Sequence, residues 1–96
     1  MIEEKVAQIK AEIKLRLDEN NIRVTSINAY FDEGRLQRDG KNKDVIVVSI
    51  KEPRFNKRQF IIVDPESLEV LYVQTDIMRF LEPDDYFKPR TKDHYD

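Results

Sequence analysis

The sequence predicts an α+β domain, a long N-terminal helix packed on a four-stranded antiparallel meander with a short C-terminal helix (α-β-β-β-β-α). Three observations carry this expectation. Ile2, Val6, Ile9, Ile13 and Leu17 recur at helical spacing. From Ile22 to Val73 the apolar residues instead come in short, β-branched runs separated by Gly, Pro, Asp and Asn. In Gln59–Val73, QFIIVDPESLEVLYV, two such runs flank Asp64-Pro65-Glu66-Ser67, where Asp64 can bond the backbone ahead of it and Pro65 presets φ for a turn.

The first helix spans residues 2–19. Good helix formers fill its polar faces, and Glu12 and Arg16 stand four apart in the favourable order. Asn20-Asn21 end it, since asparagine tolerates the left-handed conformation at C′. Residues 22–31 form the first expected strand. Ile22 and Val24 share one parity while Ile27, Ala29 and Phe31 share the other, so a β-bulge near Thr25-Ser26 or a simple kink has to repair the phase.

Asp32–Lys43 holds the only two glycines, Gly34 and Gly40, and is expected to be a mobile charged loop or a ragged hairpin extension. Residues 44–51, DVIVVSIK, form a strand apolar on both sides, followed by a turn over 52–58. Residues 59–63 and 68–73 make the central hairpin. The competing expectation is one helix from Pro65 to about Leu81, with Asp64 as N-cap. The apolar residues of 68–73 crowd all sides rather than one stripe, which favours the hairpin. Thr75 then caps a short helix over 76–82, ended by Pro83. A single domain thus covers residues 1–82, and 83–96 form a loosely held polar tail that Tyr86 and Phe87 can dock locally.

A long helix on a curved meander resembles cystatin-like and PepSY-like modules, and Val63–Leu71, VDPESLEVL, is similar to the hairpin of the latter. A tight form of that hairpin usually carries glycine where this chain has Leu68. The likeness rests on turn chemistry and implies a fold, not an activity.

Ninety-six residues suit one domain with a modest core, burying about 60–70% of the unfolded surface. With no cysteine, disulfides, thiolate metal sites and thiol nucleophiles are excluded. No apolar run reaches the roughly 18 residues of a membrane span, and MIEEKVAQIK lacks the apolar core of a signal peptide. A soluble cytoplasmic protein is expected.

Enzymatic groups are scarce. The single histidine, His94, lies in the tail, where no fold holds it as a base. Ser26 and Ser49 have no base in view. The two glycines do not make a phosphate loop. Glu82, Asp84 and Asp85 read as a solvated cluster rather than a cation site. The chain is expected to be non-enzymatic and to use no metal or cofactor.

Two surfaces remain. Eight basic residues against three acidic ones give the stretch 35–58 a charge of +5, although the whole chain carries −2. Arg35, Arg38, Lys41 and Lys43 on one connection, and Arg54, Phe55, Lys57 and Arg58 on the next, are the candidate contacts of a nucleic-acid-binding module built on loops 35–43 and 51–58. These connections leave opposite ends of one strand, so they do not make one patch.

The sheet also carries surplus apolar residues. If Ile46, Val48, Ile50, Phe60, Ile62, Val70 and Tyr72 face the long helix, then Val45, Val47, Ile61, Val63, Leu71 and Val73 face away, and the reverse parity leaves the surplus unchanged. The short helix over 76–82 covers about half of a face that wide, so these six residues are the candidate protein interface. The sequence therefore predicts a small protein-binding or regulatory module, a homodimer through this face or the edge strands beside it, with nucleic acid as the alternative partner and no membrane.

Overall fold

The computed structural model describes residues 1–53 and 58–91. A helix, α1 (Ile2–Glu19), precedes five strands, β1 (Ser26–Leu36), β2 (Asn42–Lys51), β3 (Gln59–Val63), β4 (Val70–Gln74) and β5 (Phe80–Leu81), and a one-turn helix, α2 (Pro83–Tyr86). The strands pair in chain order as one antiparallel sheet. This is the α+β architecture expected, with a fifth, two-residue strand added. No helix among the described residues is long and apolar enough to cross a membrane.

α1 ends as its sequence requires. Asn21 takes φ +56°. The Ile22 N–H donates to Leu17 O at 2.8 Å and the Asn21 N–H to Asp18 O at 3.0 Å, the bond pair of a Schellman closure. Ile22 is thereby folded beneath the helix beside Leu17, and both are buried. Its apolar character serves this closure, not a strand, which corrects the expected start at Ile22. β1 begins at Ser26 and no bulge is needed at Thr25-Ser26.

The pairing irregularity lies further on, between Asp32 and Arg35, where Gly34 has φ +62°. β1 and β2 then continue as a hairpin closed by Gln37 N–H to Lys41 O at 2.8 Å. Most of the segment expected as a mobile loop is this hairpin extension.

The β3–β4 turn is the one that Asp64 and Pro65 promise. Asp64 Oδ1 accepts from the N–H groups of Glu66 at 2.7 Å and Ser67 at 3.2 Å, and the Leu68 N–H donates to Asp64 O at 2.8 Å. Leu68 stands at φ +62°, the position where glycine is usual. The helix from Pro65 to Leu81 does not form.

Thr75 caps no helix either. Its Oγ1 accepts from the Arg79 N–H at 3.0 Å, and with Met78 at φ +62° this closes a turn that pairs β4 with β5. Pro83 opens α2 instead of ending a helix, in keeping with its tolerated place in a first turn. Tyr86 and Phe87 then bury in the main core, the local docking expected of them, and the Arg90 N–H bonds Asn20 O, while residues 92–96 of the expected tail lie outside the described residues.

Register decides the two faces. β2 and β3 pair Ile46 with Val63 and Val48 with Ile61. Opposite residues share a face, so Ile61, Val63 and Val73 join Ile46, Val48 and Ile50 under α1, where Ile9, Ile13 and Leu17 pack. Phe60, Ile62 and Tyr72 go to the far face with Val45 and Val47. The expected parity is thus right for β2 and for Val70 and Leu71 of β4, and reversed for β3 and for Tyr72 and Val73. β4 is also bulged, since Ile62 pairs with Tyr72 but Val63 pairs with Val70. Leu71 is the extra residue, and Leu71 and Tyr72 both turn to the far face.

Asp64 also holds Lys43 Nζ at 2.9 Å. That bond, then the Glu66 N–H, keeps its carboxyl below the usual carboxylate range against the opposing effect of burial. The folded state therefore prefers ionised Asp64. This stability is complete above the unfolded value of about 3.9 and is lost as pH falls through the lower folded value. Asp64→Asn keeps the acceptor for the turn but loses the charge. Its urea midpoint is expected below that of the parent at pH 7, with the gap closing below about pH 4. A gap independent of pH would contradict this role for Lys43.

Candidate functional site

The six residues expected to need cover have little or no surface to offer. Val45, Val47, Ile61, Val63 and Val73 are each 0% exposed in the single chain, and Leu71 is half-buried. Ile61, Val63 and Val73 lie beneath α1, while Val45 and Val47 lie on the far face. These residues are core, which corrects their assignment as an interface.

The far face is covered by its own aromatic residues and by the β1–β2 hairpin. Tyr30, Phe60 and Leu71 pack around Val45, Val47, Ile62 and Tyr72. The Arg35 guanidinium stands 5.5 Å from the Phe60 ring and reaches Gln74 Oε1 at 3.4 Å and Asp32 Oδ2 at 3.0 Å. Arg38 lies 4.8 Å from the Tyr72 ring and holds Glu82 Oε1 at 2.6 Å. The Tyr72 hydroxyl donates to Gln37 Oε1 at 2.7 Å. Burial, the largest influence on it, raises the pKa of this phenol despite the two nearby guanidinium groups. Arginine stems thus cover apolar surface while their charged ends meet carboxylates.

The basic candidates divide accordingly. Arg35, Arg38 and Lys43 each hold a carboxylate of the same chain. Lys41 is exposed at the hairpin tip. Arg58, at the opposite end of the sheet, donates to Ser49 Oγ at 3.2 Å and Ser26 Oγ at 3.1 Å. Arg54, Phe55 and Lys57 lie outside the described residues, as does His94. Of the acidic trio, Glu82 meets Arg38, Asp84 meets Arg16 at 3.9 Å and Asp85 meets Lys88 at 3.8 Å.

Glu52 was not singled out by sequence and is 2% exposed. The Tyr86 hydroxyl donates to its Oε2 at 2.9 Å, and Arg90 Nε is 3.8 Å from its Oε1. The Arg90 N–H donates to Asn20 O at 2.8 Å. This cluster fastens the C-terminal segment to β2 and to the end of α1. A lone Glu beside Pro53 in a charged stretch carries no sequence signal of burial.

The surface left open is an edge. β5 closes one side of the sheet with two residues, and β1 closes the other with eleven. Folded proteins blunt such edges with shortness, charge, proline or a bulge. The outer half of β1 has its bulge and the charges Asp32, Glu33 and Arg35. Among the described residues, the inner half, Ser26–Phe31, has no charge, proline or bulge of its own, and the Arg58 guanidinium reaches only Ser26 Oγ at its start. Among the described residues, the backbone of Ile27–Phe31 pairs with β2 alone. Ile27, Ala29 and Phe31 are half-buried against the helix-side core and Tyr30 against the far cluster, as befits apolar residues with a neighbour on one side only.

Comparison with known proteins found no matching family model, no matching curated protein and no matching solved structure.

Proposed function

We propose that this chain is a small, non-enzymatic, cytoplasmic accessory module that works by protein–protein contact, receiving an extended segment along the edge of β1. The observation that carries this is the unprotected backbone of Ser26–Phe31 in a sheet whose other edge is two residues long. Main-chain bonds to an added strand supply affinity, and the half-exposed side chains of Ile27, Tyr30 and Phe31 supply selectivity on the two faces. The alternative, a nucleic-acid-binding module, has weaker support because three of its cations already meet carboxylates within the chain.

Selection of peptides from a random-sequence library on the immobilised chain tests the proposal. Enriched peptides are expected to read as short alternating strands and to slow amide exchange at residues 26–31. Failure to enrich any peptide when the chain is immobilised sparsely enough to stay monomeric, or protection confined to another part of the molecule, would remove the β1 site. Retention on an anionic matrix that falls steeply with salt would favour nucleic acid instead.

A further inference from the structure

Resting on that strand-addition reading, we infer that the occupant of the β1 edge is the same strand of a second copy of this chain, paired antiparallel about a two-fold axis through Ala29. An axis that joins two identical edges antiparallel runs perpendicular to the sheet and keeps each face on its own side. Residues opposite one another must point to one face, so the axis passes through a residue and not between two.

Ala29 is the centre that keeps all of Ser26–Asp32 paired within the strand. Ile27 then faces the partner subunit's Phe31 under the helix side, a β-branched and aromatic pair of the kind that stabilises sheets. Asn28 faces the partner subunit's Tyr30 on the far side. Asp32, the only charge in the segment, meets the partner subunit's Ser26, so no like charges oppose one another. A centre at Tyr30 sets Ile27 against a glutamate, and a centre at Asn28 sets Phe31 against Thr25, outside the strand.

The pairing also accounts for the unequal treatment of the two edges. Two five-stranded sheets joined at β1 form one continuous sheet whose outermost strands are both the two-residue β5. The stretch of β1 without bulge, Ser26–Phe31, is covered, and what stays open of this strand is its bulged, charged outer half. A contact confined to one strand edge is small among stable interfaces, so dissociation is expected in the micromolar range.

Light scattering on the unmodified chain at low and high micromolar concentration is expected to show the mass double. The chain contains no cysteine, so Ala29→Cys supplies a single thiol at the axis. Cross-strand Cβ atoms about 4.5–5.5 Å apart are near disulfide reach, and mild oxidation is expected to link this variant much faster than Ser67→Cys in the β3–β4 turn. A monomer mass at both concentrations overturns the inference, and peptide capture along β1 by that monomer would leave the strand-addition reading intact. A dimer linked through Met78→Cys but not through Ala29→Cys would overturn both.

Discussion

Val47→Asp is expected to abolish cooperative folding. Val47 is 0% exposed on the far face, paired across the sheet with Tyr30 and Ile62 and packed beside Val45 and Tyr72. A carboxylate there is cut off from water, and a cost above about 4 kcal/mol is of the same order as the whole stability of a small domain. Loss of near-ultraviolet circular dichroism and of a sigmoidal urea transition would register it. Asn28→Asp is the control, because Asn28 occupies the same face but is exposed. That change is expected to stay within about 0.5 kcal/mol of the parent. If Val47→Asp instead unfolds with the parent's midpoint, the covered far face described above is wrong. The substitution therefore reports on packing inside one chain and cannot serve as a test of association.

Ile13→Ala is expected to cost about 2–5 kcal/mol through lost transfer energy and the cavity left behind. Ile13 is 2% exposed at the middle of the α1 stripe, against the strands that carry Val48 and Ile61. A lower urea midpoint with an unchanged slope is the expected signature. Leu15→Ala, two residues along the same helix, removes a side chain that is 59% exposed and should change stability by less than about 0.5 kcal/mol. Equal costs at the two positions would mean that α1 does not present its Ile9–Ile13–Leu17 stripe to the sheet.

The elements that were legible in advance share one property, that local chemistry alone specifies them. The α1 stripe at helical period, Asn21 at the left-handed closure and Asp64-Pro65 at the hairpin turn each act within a few residues of themselves. The positive φ at Leu68 does not belong with them, since leucine there reads as a departure from the usual glycine and the turn imposes the conformation on it. Sequence and structure part where one residue type serves two local purposes. Ile22 reads as the start of a strand but is the apolar member of a helix closure, and Thr75 caps a β-turn as readily as a helix. Pro83 is compatible with either end of a helix, and the burial of Tyr86 and Phe87 decided between them.

The candidate site was legible in part. The sequence shows the surplus apolar character of the sheet but not its cover. Arg35 and Arg38 reach Phe60 and Tyr72 across more than twenty residues of sequence, and a charged stretch does not announce that it will fold over an apolar face. The basic surplus between Arg35 and Arg58 was real as a count, yet much of it is used in holding Asp32, Asp64 and Glu82.

The sequence by itself determined the fold class, the extent of α1, the apolar runs that become strands and the turn at Asp64, because these follow from period and from side chains acting on their own backbone. Only the tertiary structure decided which face each apolar residue occupies, what covers the far side and which edge stays open. A one-residue difference in pairing between β2 and β3 exchanges every side chain of β3 between the two faces, and nothing in the composition of QFIIV prefers one outcome. The inner half of β1 likewise becomes a candidate site only once pairing leaves it as the outer strand, with no neighbour beyond it among the described residues.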